Sequence, residues 1–275
     1  MSAATLFSRP TAAPAARPSD DARDRLRVRL EEAALNATAV SAQLLHDGWL
    51  VRLAPSAAKR VRSINVLGLS TRPLDERLAY CSSLYARRGL PMLFRLTSIG
   101  PDFSLDDELA ARGYALIEET RVMSAPLAPR PQAAPAGLTF AMVDPVRFAD
   151  EVGRMRGALP QHVEEHRARL AGLAVDISPV LAHAGDGRCV AAGLAVRDGD
   201  LLGLFDIVTH PDERRKGHAG ALVEYLLAAG AADGAATAYL QVEPDNAAAR
   251  ALYARYGFKD CYAYWYRLPA EQAAA

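Results

Sequence analysis

Residues 204 to 230 (LFDIVTHPDERRKGHAGALVEYLLAAG) combine small and basic residues in a way that suits the binding of an anion. An apolar run ends at Val208 and Thr209, a charged loop follows, and apolar residues then recur at helical spacing from Ala219 to Gly230. The pattern predicts a strand, a loop and a helix with one apolar face. The free N–H groups and positive dipole of the first helical turn, together with nearby cations and small residues, would form the anion site. The candidate binding residues are Arg214, Arg215, Lys216, Gly217, His218, Ala219 and Gly220.

A second pattern, N-x-x-A-x-x-L-Y-x-x-x-G-F, begins at Asn246 and ends at Phe258. Together with Arg214-x-x-Gly217-x-Ala219, it resembles the two coenzyme motifs of the GCN5-related N-acetyltransferases (GNATs), whose first motif is Q/R-x-x-G-x-G/A. The order and separation of the motifs match the family, and the resemblance covers about residues 138 to 268. Without the second motif, a solvated basic loop between a strand and a helix would be the better interpretation of the first.

The resemblance implies an α/β (α+β) fold with a GNAT-type mixed, mostly antiparallel sheet flanked by helices. It also implies an acetyl-CoA-dependent N-acetyltransferase that moves the acetyl group to a primary amine by direct transfer in a ternary complex. In this family the backbone at Ile207, Val208 and Thr209 would bind the pantetheine arm like an added strand, and Asn246 and Ala249 would contact the coenzyme. The sequence does not identify the acceptor amine. A coenzyme-A-binding regulatory or interaction protein without turnover is the alternative.

Three side chains are candidates for proton transfer. Tyr253, in the second motif, could protonate the departing thiolate, because a phenol with a pKa of about 10 stays neutral at pH 7. A core tyrosine is the alternative. Asp206 and Glu243 are the candidate bases, with Asp206 slightly ahead, although many members of the family bind an already neutral amine. Asn246 could also cap its helix, which is compatible with a coenzyme contact.

We expect no metal site. His162 and His166 are four residues apart, but HVEEH lacks the glutamate that directly follows the first histidine in H-E-x-x-H. Solvated histidines over the acceptor groove are expected instead. The three cysteines are far apart and lack C-x-x-C spacing, which argues against a thiolate metal site or a disulfide scaffold.

Composition excludes several classes of protein. The 275 residues include 32 Lys plus Arg and 32 Asp plus Glu, so no global field favours nucleic acid as a partner. No apolar run reaches the roughly 18 residues that a membrane span requires, and no secretory signal is recognisable. We expect a cytoplasmic protein that binds acetyl-CoA and an amine, with no membrane or nucleic-acid partner, and the sequence leaves a homodimer open.

Composition shifts suggest two modules. Residues 1 to 21 are expected to be a disordered tail, 22 to 124 an N-terminal α/β domain, 125 to 137 a Pro/Ala linker, 138 to 268 the catalytic GNAT domain, and 269 to 275 a tail. The N-terminal half lacks the R-x-x-G-x-G/A loop. It is either a degenerate GNAT-like copy or an unrelated α+β domain.

Local patterns predict the individual elements. Residues 24 to 45 show helical periodicity, and residues 145 to 157 and 161 to 173 read as two helices over the acceptor groove. Hairpin-turn chemistry at 185 to 187 and 198 to 200 predicts three antiparallel neighbouring strands. The strand at 237 to 242 must then run parallel to the strand before the central helix, because a strand-helix-strand crossover returns in that direction.

Overall fold

Eleven strands form one continuous sheet in the computed structural model, which describes residues 18–131, 135 and 137–273. The strands are β1 (Gln43–His46), β2 (Trp49–Arg52), β3 (Ile64–Val66), β4 (Phe94–Thr97), β5 (Tyr114–Pro126), β6 (Leu138–Met142), β7 (Asp176–Ala184), β8 (Cys189–Asp198), β9 (Leu201–Thr209), β10 (Thr237–Val242) and β11 (Lys259–Pro269). The helices are α1 (Pro18–Asn36), α2 (Leu74–Ala86), α3 (Leu105–Ala111), α4 (Pro145–Arg156), α5 (Pro160–Ala171), α6 (His218–Ala232), α7 (Ala247–Ala254) and α8 (Ala270–Ala273). None of these helices combines the length and apolar character needed to cross a bilayer.

The two halves of the chain share the same connectivity from β1 and from β7 onward, although among the described residues only the C-terminal half has a strand and two helices (β6, α4 and α5) before this part. In the C-terminal half, β7, β8 and β9 are antiparallel neighbours, and β10 pairs parallel to β9 after the crossover through α6. In the N-terminal half, β2 and β3 are antiparallel, and β4 pairs parallel to β3 after the crossover through α2. Each half then adds a helix and a final strand. The predicted antiparallel hairpins and the parallel strand are confirmed.

The two halves exchange their final strands. β5 ends the N-terminal unit but pairs with β10 of the C-terminal unit, and β11 ends the C-terminal unit but pairs with β4 of the N-terminal unit. The two exchanged strands also pair with each other along their length, from Lys259 opposite Ser124 to Pro269 opposite Tyr114. The strand order is therefore β1-β2-β3-β4-β11-β5-β10-β9-β8-β7-β6.

Helices cover both faces of the C-terminal part of the sheet. The buried stripe of α6, which includes Leu222 and Leu226, packs in one cluster with Ala191 and Ala195 of β8. The alternate residues of β8 belong to a second cluster with α4 and α5. Because successive strand residues point to opposite faces, the sheet separates α6 from the α4 and α5 pair.

The predicted helix over residues 24 to 45 is wrong beyond Asn36, because residues 43 to 46 form β1. β1 pairs antiparallel with β2 across Asp47-Gly48, and both turn residues have left-handed backbone, with φ of 45° and 83°. Asp-Gly in this conformation favours a two-residue hairpin, and this signal outweighs the apolar spacing upstream. Residues 125 and 126 of the expected linker lie in β5, and residues 270 to 273 of the expected C-terminal tail form α8. The expectation of disorder for residues 1 to 17 lies outside the described residues.

Candidate functional site

A β-bulge interrupts β9 where the sequence predicts the thioester end of the coenzyme. Asp206 and Ile207 of β9 lie opposite the single residue Gly193 of β8, between the pairs Leu194 with Phe205 and Ala192 with Val208. Asp206 has a left-handed backbone with φ of 49°, which aspartate tolerates better than most residues. A Cβ atom on Gly193 would lie 2.8 Å from Cδ1 of Ile207, so glycine leaves room for the bulged residue.

The strands β9 and β10 separate just before the bulge. Their parallel pairing ends at Leu204 and Leu240, although β9 continues to Thr209. Within the described residues, the edge of β9 at positions 205 to 209 that would face β10 has no strand partner. Ile207, Val208 and Thr209 lie on this edge and are half-buried. A free strand edge can accept an extended ligand through main-chain hydrogen bonds.

The loop after β9 leads directly into the N-terminus of α6. Arg214 and Arg215 are exposed, and their side chains make no hydrogen bond or ion pair with any residue that the structure describes. Gly217 is the N-cap of α6, has φ of 86°, and provides no side chain to cap the helix. A Cβ atom at Gly217 would meet no atom within 4 Å. The N-terminus of α6 therefore has no side-chain cap and lies next to the exposed side chains of Arg214 and Arg215.

Glu213 organises this loop, and the sequence analysis did not single it out. Its side chain is only 9% exposed and accepts hydrogen bonds from Lys216 at 2.9 Å and Arg188 at 3.0 Å. Nε2 of His218 lies 3.4 Å from the same carboxylate. The hydrogen bonds from Lys216 and Arg188 lower the pKa of Glu213 to about 2. The side chains of Lys216 and His218 thus hold the loop in place, which leaves Arg214 and Arg215 as its free cations.

The second motif packs its helix, α7, against the first turn of α6. Asn246 caps α7, because its Oδ1 accepts a hydrogen bond from the backbone N–H of Ala249 at 3.1 Å. The hydroxyl of Tyr256 donates to the carbonyl oxygen of Gly220 at 2.7 Å. Tyr256 was missed by the sequence analysis, although it lies one helical turn after Tyr253. The contact brings the two motifs together.

Tyr253 is largely buried on α7. Its ring meets that of Phe258 edge to face, with 5.9 Å between centroids. Its hydroxyl makes no hydrogen bond to any described residue, and burial raises its pKa above the ordinary value. The phenol is therefore protonated at neutral pH, as a proton donor must be.

Asp206 is held between the side chains of His166 and Arg156. Nε2 of His166 lies 3.0 Å from Oδ2 of Asp206, and a guanidinium nitrogen of Arg156 lies 2.9 Å from Oδ1. Burial alone would raise the pKa of Asp206, but the hydrogen bonds and charges of His166 and Arg156 outweigh it and hold the pKa well below its ordinary value. The expectation of a solvated His166 is wrong, because α5 lies over β9 and buries the ring against Phe148. By contrast, Glu243 is exposed at the end of β10.

Cavities between the two halves of the chain open next to Asp206. One of about 110 Å³ is lined by Asp206, His166 and Arg169 from the C-terminal half and by Thr38 and Arg60 from the N-terminal half. A neighbouring cavity of about 250 Å³ shares His166 and Arg169. We call these two cavities the inter-half groove. A separate cavity of about 590 Å³ between α4 and α5 contains none of the candidate site residues.

Several solved structures with a similar fold are described as GNAT proteins. A GCN5-related N-acetyltransferase from Kribbella flavida has 16% sequence identity and a TM-score of 0.66, with 90% of this chain and 95% of that chain covered. One from Sphaerobacter thermophilus has 17% identity and a TM-score of 0.58, with 82% of each chain covered. A tandem GNAT protein from the clavulanic acid biosynthesis pathway has 15% identity and a TM-score of 0.59, with 90% of this chain and 94% of that chain covered. The fold is thus that of the GNAT superfamily, in a two-module form.

A family model identifies the chain more narrowly. Residues 26–267 match the family described as "Probable histone acetyltransferase Rv0428c C-terminal", and the chain belongs to that family. The match spans both halves, so the N-terminal unit is part of the family's architecture. The sequence resemblance to the GNAT superfamily is confirmed. No curated protein is significantly similar to the chain in sequence.

Proposed function

We propose that the chain transfers an acetyl group from acetyl-CoA directly to a primary amine. The observation that carries the proposal is the free edge of β9 at residues 205 to 209, which begins at a bulge and ends at the open N-terminus of α6. Acetyl-CoA would place its extended thioester arm along the free edge of β9 and its pyrophosphate at the N-terminus of α6. Membership of an acetyltransferase family supports the same conclusion.

Backbone groups supply most of the proposed coenzyme contacts. The N–H groups at the start of α6, with Arg214 and Arg215, bind the phosphates. The free edge at Ile207 and Thr209 binds the pantetheine arm as an added strand. The N–H of Val208, just past the bulge, then faces the thioester oxygen. An amide aimed at the developing negative charge contributes about 3 kcal/mol to the transition state.

Two side chains take part in the proposed proton transfers. The amine nitrogen attacks the thioester carbon, the carbon–sulfur bond breaks, and Tyr253 donates its proton to the departing thiolate. The attacking nitrogen loses one proton, which passes to water in contact with the exposed carboxylate of Glu243. Because Asp206 has a lowered pKa and is already bound by Arg156 and His166, we assign it a positioning role at the bulge in place of the base role expected from sequence.

A matched pair of glycine substitutions tests the coenzyme site. Gly217 and Gly234 lie at opposite ends of α6, have φ of 86° and 91°, and both face open space. Gly217→Ala and Gly234→Ala should therefore cost similar backbone strain, about 1 kcal/mol each. Only Gly217→Ala should weaken acetyl-CoA binding in calorimetry. Equal acetyl-CoA affinity in the two variants, in folded samples, would contradict the proposed site.

A coenzyme-A-binding regulatory protein is the second candidate. Among the described residues, no buried and unpaired carboxylate that could act as a base lies next to the bulge, and this favours the binding protein. Asp206 is bound by Arg156 and His166, and Glu243 is exposed. The two candidates differ in turnover. Thiol release from acetyl-CoA that depends on an added amine supports the enzyme, whereas tight acetyl-CoA binding without release for any amine supports the binding protein.

A further inference from the structure

The inter-half groove contains guanidinium groups that the described residues do not neutralise. Arg169 of α5 lines both cavities of the groove, and its side chain makes no hydrogen bond or ion pair with any described residue. Across the groove, Arg60 donates to the side-chain oxygen of Gln241 at 2.7 Å and lies 5.9 Å from the centre of the Phe205 ring. Neither arginine has a carboxylate within ion-pair distance in the described part of the chain. They come from different halves of the chain and line the same cavity of about 110 Å³.

A third arginine stands behind these two. Arg52 is 4% exposed and donates only to the backbone oxygens of Arg60 and Leu35. Its Nε is buried without a partner among the described residues. It lines a further cavity of about 530 Å³, which Arg169 also lines. Arg52 and Arg169 therefore place further positive charge in this cavity next to the groove.

Two carboxylates, Asp206 and Glu165, line the groove, and each has a hydrogen-bond or ion-pair partner. Asp206 is bound by His166 and Arg156, and Glu165 accepts a hydrogen bond from the hydroxyl of Ser56 at 2.7 Å. Burial lowers the pKa of Arg169, and the charges of Arg60 and Arg156 act in the same direction, whereas those of Asp206 and Glu165 oppose it. Cations taken partly out of water without a counterion are costly, and a bound anion would offset that cost.

We propose that the acceptor amine carries a carboxylate, and that Arg169 and Arg60 bind this carboxylate while the amine reaches the bulge at Asp206. The inference rests on the proposed acetyl transfer and names the class of its acceptor, a small amino acid. Planar guanidinium groups match carboxylate geometry, and the apolar wall formed by Phe205 and Leu194 leaves the charge–charge contact as the dominant polar interaction. The N-terminal half is then part of the specificity site. A lysine-rich peptide would bring positive charge into a positively charged groove.

The test compares amino acids with their amides. Calorimetry first measures acetyl-CoA binding to the wild-type chain, and then the binding of each L-amino acid and its amide in the presence of coenzyme A. Thiol release from acetyl-CoA gives kcat and KM for the same pairs and for a lysine-rich peptide. The variants are Arg169→Ala and Arg169→Lys. The control is Arg154→Ala, an exposed arginine on α4 that pairs with Glu151 and lines neither cavity of the groove.

We expect at least one amino acid to bind and react with a KM at least about 10-fold below that of its amide, since each tenfold corresponds to about 1.4 kcal/mol. Arg169→Ala should raise the KM for the acid roughly 10- to 100-fold, with little change in kcat and none for the amide. Arg169→Lys should lie between, because it keeps the charge but loses the planar fork. Arg154→Ala should match the wild type.

Three results would overturn the inference: equal affinity for acids and amides, equal effects of Arg169→Ala on both, or a preference for the lysine-rich peptide. Each leaves acetyl transfer to amines intact if acetyl-CoA binds and thiol is released. A wild-type chain that does not bind acetyl-CoA refutes the proposed function instead. If acetyl-CoA binds without turnover, the calorimetric comparison of acids with amides still decides the inference.

Discussion

Substitutions at Asp206 separate the charge of the side chain from the conformation of the bulge. Asp206→Asn keeps a side chain that tolerates the left-handed backbone but removes the charge that His166 and Arg156 bind. Asp206→Ala removes the carboxylate and leaves a residue that is strained at φ of 49°. Asp206→Gly removes the carboxylate and the strain together.

The expected sizes follow from these contacts. Hydrogen bonds to charged groups contribute about 1.5 to 3 kcal/mol, and the loss of one partner of a buried ion pair costs about 3 to 5 kcal/mol. The Asp206 side chain is 22% exposed and that of Arg156 is 45% exposed, so solvent reduces the loss, and we expect about 2 kcal/mol for Asp206→Asn. Asp206→Gly should cost slightly more than this. Asp206→Ala should cost about 1 kcal/mol beyond Asp206→Gly, because alanine is strained in the left-handed region.

Urea denaturation of the three variants gives the free energies of unfolding. The order of alanine and glycine is the decisive result, because alanine is normally more stable than glycine inside a strand by about 0.5 to 1 kcal/mol. We expect the reverse at position 206. Asp206→Ala equal to or more stable than Asp206→Gly would refute the strained bulge. Asp206→Asn with wild-type stability would refute the contribution of the ion pairs to His166 and Arg156.

Three further predictions concern other parts of the site and its support. Tyr253→Phe should lower kcat roughly 100-fold with an unchanged KM for acetyl-CoA, whereas Tyr256→Phe should mainly lower the stability of the fold, by about 1 kcal/mol. Steady-state thiol release measures the first effect and thermal unfolding the second. Equal kcat values for the two variants would argue against Tyr253 as the proton donor. Because the pKa of Glu213 is lowered from 4.5 to about 2, its ion pairs stabilise the fold fully above about pH 4.5 and are lost as the pH falls through about 2. The stability difference between wild type and Glu213→Gln should therefore shrink over that range in urea titrations, and a difference independent of pH would contradict the pairing. Gly203→Ala should destabilise the chain by about 2 kcal/mol, since its Cβ would lie 2.7 Å from the ring of Tyr239 on the neighbouring strand; an unchanged melting temperature would show that the ring can move.

Local signals were enough to predict the C-terminal strands and their directions. The turns at 185 to 187 and 198 to 200 have strong hairpin chemistry, and the crossover rule fixes the direction of β10. The strand at residues 237 to 242 was predicted with the bounds that the structure shows. The loop between β9 and α6 was also predicted, because its small and basic residues lie close together in the sequence.

Features that depend on distant pairings could not be predicted in this way. The bulge at Asp206 is a property of the register between β8 and β9, and the burial of His166 depends on how α5 lies across β9. The hairpin at Asp47-Gly48 had a local signal that the helical periodicity upstream obscured. The role of Glu213 was hidden because one partner, Arg188, is 25 residues away in the sequence.

The exchanged strands limit how this chain can be divided. A fragment ending near residue 131 would contain β5 without its neighbours β10 and β11. The complementary fragment would lack β5, so the edge of β10 that pairs with β5 would be free to pair with other chains. Removal of either half would therefore leave the other half with an unpaired strand in its sheet, even though the N-terminal half lacks an R-x-x-G-x-G/A loop of its own.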